Sequence, residues 1–213
     1  MLVLCSDGLT GAALRDGVRQ RLSGQHRAAL VVTADPEYRE ENYHVPRCVG
    51  ELDAMGLSVD IFDLDRQPAE ALLEYDVVEF IGGNPFYLMS VIRRERCADV
   101  LRRLANEKVL IGWSAADFVF GPTLKLVHMY SPEMNFPGLT DLSALRLTDW
   151  EVLPHYRRFL TRFEAFEARC RAYEAENHVT VIRLNDGEGI VIDGQECVIC
   201  REGRSPGESE DLR

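Results

Sequence analysis

Short apolar runs alternate with helix-forming stretches along the first half of the chain, and this alternation decides the class of fold. Each run is short enough to be a strand and is followed by helical periodicity or a helix-starting residue. Strands separated by helices pair in parallel, with the helices packed on the sheet. The chain therefore predicts an α/β fold, a mostly parallel central sheet with helices on both faces. The predicted strands lie at about 1–5, 28–32, 57–62, 76–81 and 109–112. The first predicted helix ends near residue 22, another starts at about residue 84, and the remaining ones lie at about 37–55, 68–73 and 97–106.

The second half of the chain has a different texture. Residues 122–150 contain Met, Pro and Gly without periodicity and predict a loop. Residues 157–176 predict one long amphipathic helix, and residues 179–184 predict a late strand. Residues 189–200 predict a hairpin that turns at Asp193-Gly194.

Size and composition fit one globular domain. The chain has 213 residues, of which 46% are hydrophobic and 28% are charged. We predict a single domain over residues 1–200, followed by a disordered tail at 201–213, where polar residues, Gly, Pro and Ser prevail. The net charge of -11 argues against nucleic acid or an anionic membrane as a partner, because phosphate binding needs clustered Lys and Arg.

The cysteines and the N-terminus indicate the compartment. Six cysteines are scattered without the spacing of a disulfide framework. Cys197 and Cys200 form a Cys-x-x-Cys pair, but their odd spacing puts them on opposite faces of a strand, and no second pair lies nearby. We see no secretory signal and no apolar run near the ~20 residues that span a bilayer. We therefore expect a reduced, cytoplasmic protein.

Residues 109–117, Val-Leu-Ile-Gly-Trp-Ser-Ala-Ala-Asp, place a serine directly after a strand. The apolar run stops at Gly112 and Ser114 follows, which is close to the G-x-S-x-G strand-to-helix turn of serine hydrolases. Ala116 stands where that pattern has its second glycine. Such a turn raises the serine hydroxyl above the sheet and leaves the N–H of Ala115 available to an oxyanion.

A second strand end carries two glycines. Gly82-Gly83-Asn84-Pro85-Phe86 follows the strand at 76–81, and ligands of parallel sheets bind at the carboxyl ends of the strands. Glycine lets the backbone approach a ligand closely, so the N–H of Gly83 is the candidate for a second oxyanion donor. Asn84 is a good N-cap and Pro85 a good first helical residue.

A serine nucleophile also needs a base and a group that orients this base. Of the five histidines, His155 in Leu-Pro-His-Tyr is the candidate, because Pro154 stiffens the loop that displays it. Two carboxylates, Asp186 and Glu188, follow the late strand. The residues alone leave open which of them meets the imidazole, since a carboxylate beside glycine is also a common turn former.

In combination, these segments resemble the dipeptidase E family of serine peptidases, the α-aspartyl dipeptidases, whose wider relatives include cyanophycinase. That family has a Gly-Gly-Asn-x-Phe loop, a Gly-x-Ser-Ala-Gly elbow, a Pro-His-Phe/Tyr segment and a late acidic-Gly turn, in this order. The matching segments here are Gly82-Gly83-Asn84-Pro85-Phe86, Gly112-Trp113-Ser114-Ala115-Ala116, Pro154-His155-Tyr156 and Asp186-Gly187.

The resemblance implies a flavodoxin-like three-layer sandwich of the class I glutamine amidotransferase-like superfamily. It implies Ser114 as nucleophile, His155 as general base and Asp186 as the third member of a triad. It further implies a small peptide substrate, Asp-x among the options, and neither a metal nor an organic cofactor. We expect a monomer or a homodimer.

Substrate recognition is where the sequence departs from the family. The family's basic helix falls at Arg169 and Arg171, which predicts a cation for an acidic substrate, although a solvated face with Glu-Arg pairs explains each arginine too. Asn84 and Asp117 are further candidates for contact with the substrate. Asp117 either faces solvent at the helix start or enters the pocket, where it repels an acidic substrate. Ala116 strains the elbow if that position needs close packing or a positive φ.

These departures leave three hypotheses: a peptidase of short peptides, a hydrolase of another amide, and an inactive relative that binds a small molecule or peptide.

Overall fold

The computed structural model describes residues 1–22, 24, 27–201 and 210–211 of the chain. The strands are β1 Leu2–Cys5, β2 Arg27–Val31, β3 Ser58–Phe62, β4 Val77–Phe80, β5 Val109–Trp113, β6 Glu151–Leu153, β7 Val181–Arg183, β8 Gly189–Asp193, β9 Glu196–Cys200 and β10 Glu210–Asp211. The helices are α1 Ala12–Arg21, α2 Val45–Asp53, α3 Pro85–Arg94, α4 Ala98–Glu107, α5 Ala115–Phe120, α6 Lys125–Tyr130, α7 Tyr156–Arg162 and α8 Phe166–Asn177. Short 3₁₀ helices lie at Arg39–Glu41, Ala69–Glu74 and Pro132–Met134.

One large sheet organises the described residues, in the order β10-β9-β8-β1-β5-β4-β2-β3. The five strands from β1 to β3 in this order pair in parallel, and β8, β9 and β10 add to the β1 edge in antiparallel fashion. A separate pair of parallel strands, β6 and β7, forms a small second sheet. The predicted mostly parallel α/β sheet is confirmed.

Alternation along the strands divides the core into two layers. Leu2 and Leu4 of β1 pack in one layer, whereas Val3 and Cys5 pack in the other. The first layer contains the apolar faces of α3, α4 and α5, and the second contains those of α1 and α2. Helices therefore cover both faces of the sheet, as the pattern of the first half predicts.

Three predicted segments differ from the structure. Over 37–55, only α2 is an α-helix; Pro46 lies in its first turn, and a proline ring in mid-helix would clash with the preceding turn. The predicted helix at 157–176 is two helices, because Ala165 is left-handed (φ 49°) and the turn lets aromatic rings from both helices pack on Tyr130. The predicted loop at 122–150 contains α6, whose six residues are too few to show periodicity.

The C-terminal segments bear on two expectations. The hairpin β8–β9 turns at Gly194, which has φ 60°, as predicted. Cys197 and Cys200 pack in different core layers, on opposite faces of β9. Of the predicted tail at 201–213, residues 202–209 and 212–213 lie outside the described residues, and Glu210–Asp211 pairs with β9. Among the described helices, none combines the length and the apolar character needed to cross a membrane.

One buried carboxyl departs from the apolar pattern of the sheet. Glu79 lies within β4, fully buried, and neither of its oxygens has a hydrogen-bond partner among the described residues. Burial, with a smaller contribution from the Glu51 carboxylate, raises the pKa of Glu79 to about 8. The charge of Arg47 and the nearby polar groups of Cys48 and Trp113 lower this pKa, but by less. The folded chain therefore holds a proton that the unfolded chain has already released at neutral pH.

This proton makes the free energy of unfolding depend on pH. Between pH 4.5, the ordinary value for Glu, and pH 8, the folded state binds more protons, so stability falls as pH rises, by up to about 1.4 kcal/mol per pH unit. We expect Glu79→Gln to remove this slope, so that the variant gains stability relative to wild type from pH 5 to pH 8 and then levels off. Chemical denaturation at each pH measures the difference. Asp99→Asn, at a side chain that is 97% exposed, is the control and should leave the slope unchanged.

Candidate active site

Ser114 sits at the turn between β5 and α5 in a conformation that few residues adopt. Its backbone has φ 55° and ψ -102°, and its N–H donates to the carbonyl of Cys5 in β1 at 3.1 Å. Gly112 makes this turn possible, because a Cβ there would lie 2.6 Å from the ring of Phe120. The strained backbone projects the Ser114 side chain from the carboxyl edge of the sheet, as expected for a nucleophile elbow.

Ala116 does not disturb the elbow. It is the second residue of α5, where φ is negative, and its side chain is fully buried against Gly112. A methyl group therefore fits at 116, whereas a Cβ at 112 would clash with it. Ala116 has no positive φ, so the backbone strain expected in that case does not arise.

Ser114, His155 and Asp186 form a continuous chain of hydrogen bonds. His155 Nε2 lies 3.0 Å from Ser114 Oγ, and His155 Nδ1 lies 2.6 Å from Asp186 Oδ1. The small sheet creates this contact: β6 and β7 are parallel, so the residues beyond their carboxyl ends, His155 and Asp186, are neighbours. The Tyr156 N–H donates to the Leu184 carbonyl at 3.0 Å and holds together the two segments that follow β6 and β7.

Ser6 supports both the histidine and the aspartate. It follows β1, is fully buried, accepts the His155 N–H at 2.8 Å and donates its hydroxyl to Asp186 Oδ1 at 2.9 Å. His155 has φ 55°, a left-handed conformation that this hydrogen bond helps to hold. Sequence reasoning missed Ser6, although β1 lies beside β5 in the sheet and the strand-end rule that selects Ser114 applies to it equally.

Asp186 is held as a carboxylate. Its other oxygen, Oδ2, lies 2.5 Å from Arg158 Nε. Partial burial raises the pKa of Asp186, but the hydrogen bonds from His155 and Ser6 and the charges of His155 and Arg158 outweigh it, so the pKa lies below its ordinary value. Glu188, the rival from the sequence, points elsewhere: its Oε2 accepts the Asn185 N–H at 2.8 Å and pairs with Arg201.

The two proposed oxyanion donors flank Ser114. The N–H of Ala115 is the first of α5 and therefore has no partner within its helix. Gly83 has φ 151°, and a Cβ there would lie 2.3 Å from the carbonyl oxygen of Ala34. Only glycine fits this position. Gly83 lines the cavity on both sides of Ser114.

Two clefts meet at Ser114 and His155. One, of about 520 Å³, we call the apolar cleft; it is lined by Gly83, Pro85, Ser114, Ala115, Phe118, Val127, Tyr130, Ser131, Glu133, Met134, Pro154, His155, Arg158, Phe159, Arg162 and Phe163. The other, of about 320 Å³, we call the polar cleft; it is lined by Asp7, Thr10, Asn42, Tyr43, His44, Arg47, Gly82, Gly83, Trp113, Ser114, His155 and Arg158. A substrate bond placed at Ser114 would have one arm in each cleft.

Comparison with known proteins decides the family. The model of peptidase family S51 matches residues 2–200. The chain belongs to peptidase family S51. It is a serine-type peptidase. An uncharacterized peptidase from Listeria monocytogenes is 25% identical over 182 residues, which are 83% of this chain and 87% of the relative. A protein named Peptidase E from Salmonella arizonae is 24% identical over 208 residues, 93% of this chain and 89% of the relative.

Solved structures of similar proteins share the fold of this S51 chain. A crystal structure of a candidate Peptidase E protein from Listeria monocytogenes EGD-e has a TM-score of 0.73 at 22% identity and covers 94% of this chain and 97% of that one. A peptidase from an acI-B1 Actinobacterium has a TM-score of 0.61 at 14% identity and covers 99% and 93%. The flavodoxin-like α/β sandwich predicted from the resemblance is confirmed.

The residues predicted to bind substrate lie outside both clefts. Asn84 caps α3: its Oδ1 accepts the N–H groups of Phe86 and Tyr87 at 2.9 Å, and its Nδ2 donates to the Met134 carbonyl at 2.8 Å. Its polar atoms are therefore committed to the loop that carries Gly83. Asp117 neither faces solvent nor enters the pocket.

Asp117 is fully buried beneath the elbow, and neither carboxyl oxygen has a hydrogen-bond partner in the described part of the chain. Burial raises its pKa well above the ordinary value, although the backbone N–H groups of Cys5 and Ser114 lie near and oppose this. Burial therefore favours the neutral form of this carboxyl. Asp117 lines neither cleft, contrary to the expectation that it enters the pocket and repels an acidic substrate.

Arg169 and Arg171 are also turned away. Arg169 Nη2 donates to the Met129 carbonyl at 2.6 Å, and Arg171 Nε pairs with Glu167 at 2.9 Å, with a side chain that is 76% exposed. Neither arginine lines the apolar cleft. The arginines that line the apolar cleft, Arg158 and Arg162, are on α7, and Arg47 of α2 lines the polar cleft.

Three side chains that are close enough together to hold a metal ion lie away from the clefts. The ligand atoms of Cys48, Glu51 and Glu79 lie within 4.8 Å of one another. Glu51 already pairs with Arg47 at 2.7 Å, and none of the three residues lines either cleft. This cluster has no geometric part in the chemistry at Ser114.

Proposed function

We propose that this S51 chain hydrolyses short peptides through an acyl-enzyme formed on Ser114. The observation that carries the proposal is the continuous hydrogen-bonded chain from Ser114 Oγ through His155 to Asp186 Oδ1, at 3.0 and 2.6 Å, at the meeting point of two clefts. The same three groups in contact define nucleophile, base and orienting acid in serine hydrolases on unrelated folds.

Each group has a defined role in the proposed reaction. His155 Nε2 takes the Ser114 proton as Oγ attacks the carbonyl carbon of the peptide bond, and it then gives this proton to the leaving amine. Asp186, an ionised acceptor, holds the proton on Nδ1 so that Nε2 is free to act as the base. The N–H groups of Gly83 and Ala115 stabilise the oxyanion. Water, activated by the same histidine, then releases the acid product and restores Ser114.

The hypothesis of an inactive relative loses its support from the sequence. It rested on Ala116 and Asp117. Ala116 adopts an ordinary helical conformation, and Asp117 lies buried beneath the elbow, outside both clefts. Neither residue obstructs Ser114, so we favour catalysis over binding alone.

Labelling of the serine tests the proposal even while the peptide substrate is unidentified. A fluorophosphonate should modify the native chain at Ser114, located by mass spectrometry of the peptides. Labelling should vanish in Ser114→Ala and after denaturation. A panel of dipeptides, Asp-x included, then tests turnover by the same two proteins. If the native chain stays unlabelled, or is labelled at another serine, the proposed nucleophile is wrong.

A further inference from the structure

The walls of the apolar cleft are made of rings and aliphatic side chains. Phe118, Val127, Tyr130, Phe159 and Phe163 face this space beside Ser114. The rings also pack on one another: Tyr130 lies 5.1 Å from Phe159 and 5.2 Å from Phe163 between centroids. Such mutual packing gives the cleft a fixed shape before any ligand enters.

Charged groups occur only at the edge of this cleft, within the part of the chain that the structure describes. Arg158 is engaged by Asp186, and Arg162 is exposed, with its guanidinium 5.2 Å from the ring of Phe163. Glu133, of opposite sign, is exposed on the same lining. A carboxylate drawn into the cleft would therefore lose water without gaining a buried cation as a partner.

We infer that the apolar cleft selects a substrate with an aromatic or branched aliphatic side chain beside the bond that is cleaved, and disfavours an acidic one. This inference rests on the proposed function, because it assigns a substrate class to the site at Ser114. It separates this chain from an aspartyl dipeptidase in specificity while keeping the same nucleophile. The polar cleft, with His44, Arg47 and Asp7 on its walls, takes the polar arm of the peptide.

Three fluorophosphonates with one reactive head and tails of equal length test the inference. The tails are phenylalkyl, oligo(ethylene glycol) and carboxyalkyl, and the measured quantity is the second-order rate constant for labelling of Ser114. We expect the phenylalkyl probe to react at least about tenfold faster than the carboxyalkyl probe, because burial of one apolar group in a fitted pocket gives discrimination of this order. In a dipeptide panel, Phe and Leu beside the cleaved bond should be preferred to Asp by a similar factor.

A matched pair of substitutions shows whether the cleft is responsible. Phe163→Arg puts a cation into the wall, and the phenylalkyl-to-carboxyalkyl ratio should fall at least about tenfold. Leu160→Arg adds the same charge on α7 at a side chain that is 43% exposed and outside the lining, and the ratio should stay within about twofold of wild type because solvent screens exposed charges. The ethylene glycol probe should label all three proteins alike, which checks that the site is folded.

The outcomes separate the two proposals. Equal rates for all tails, or a faster carboxyalkyl probe, would overturn the apolar specificity and leave Ser114 as the nucleophile. A ratio that falls equally in both arginine variants would also overturn it, since the effect would then be one of net charge. If no probe labels Ser114, the proposed function itself fails, and the specificity falls with it.

Discussion

Asp186→Asn should lower kcat by about three to four orders of magnitude while KM for the peptide changes little. An amide side chain cannot stabilise the imidazolium that forms when His155 takes the serine proton. It can also donate to Nδ1, which would move the proton of the neutral imidazole to Nε2 and block the base. Arg158, whose Nε lies 2.5 Å from Asp186 Oδ2, would lose its ionic partner. It contacts the oxygen that does not face His155, and as a donor it cannot replace the lost acceptor.

Glu188→Gln is the matched control for this prediction. Glu188 is two residues from Asp186 on the same turn, it is 7% exposed, and it accepts the Asn185 N–H. A glutamine can still accept that bond, so we expect kcat within about threefold of wild type, as for a substitution that spares the reacting groups. Steady-state kinetics on the best peptide of the panel, with the melting temperature of each variant, measures both. A strong loss in Glu188→Gln with little loss in Asp186→Asn would reverse the assignment.

The sequence predicts this fold well because the signals are local and repeated. The parallel strands β1, β2, β4 and β5 are short apolar runs, each with a helix after it, and the strand-end rule then places Ser114 and Gly83 at one edge. Where the structure differs from the prediction, packing between residues that are distant in the sequence determines the local structure. No proline or glycine marks the break at 163–165, and it becomes understandable only when the rings of both helices are seen to meet on Tyr130.

The members of the hydrogen-bonded chain at Ser114 were predictable from the sequence, whereas the contacts that support it were not. Motif order pointed to His155 and Asp186, but the pairing of β6 with β7 that brings them together involves three residues in each strand, which leave little trace in a sequence. Ser6 has no motif of its own in the sequence, and only its hydrogen bonds with His155 and Asp186 mark it. The residues predicted to contact the substrate lie outside both clefts, in a loop, in the core or on the face of α8: Asn84, Asp117, Arg169 and Arg171.

Gly83→Ala tests whether the loop after β4 supplies an oxyanion donor. The added Cβ would lie 2.3 Å from the Ala34 carbonyl oxygen, the atom that also accepts the Asn84 N–H at 2.7 Å. Both partners are backbone, so the loop itself has to move, and the Gly83 N–H moves with it. Loss of one oxyanion donor lowers kcat by about 10²–10³-fold in serine hydrolases, and we expect a fall of this size with a smaller change in KM.

Backbone strain alone has to be separated from this effect, because φ 151° is unfavourable for alanine whatever surrounds it. Gly138→Ala provides the comparison: φ is 70° there, no heavy atom lies within 4 Å of the added Cβ, and the residue lines neither cleft. It should cost about 1 kcal/mol of stability and leave kcat unchanged. If Gly83→Ala melts well below Gly138→Ala, which shows that the loop has been displaced, and yet keeps wild-type kcat, the oxyanion must be bound elsewhere. A fall in kcat that exceeds any fall in stability would instead mean that the position of this one N–H limits the chemical step.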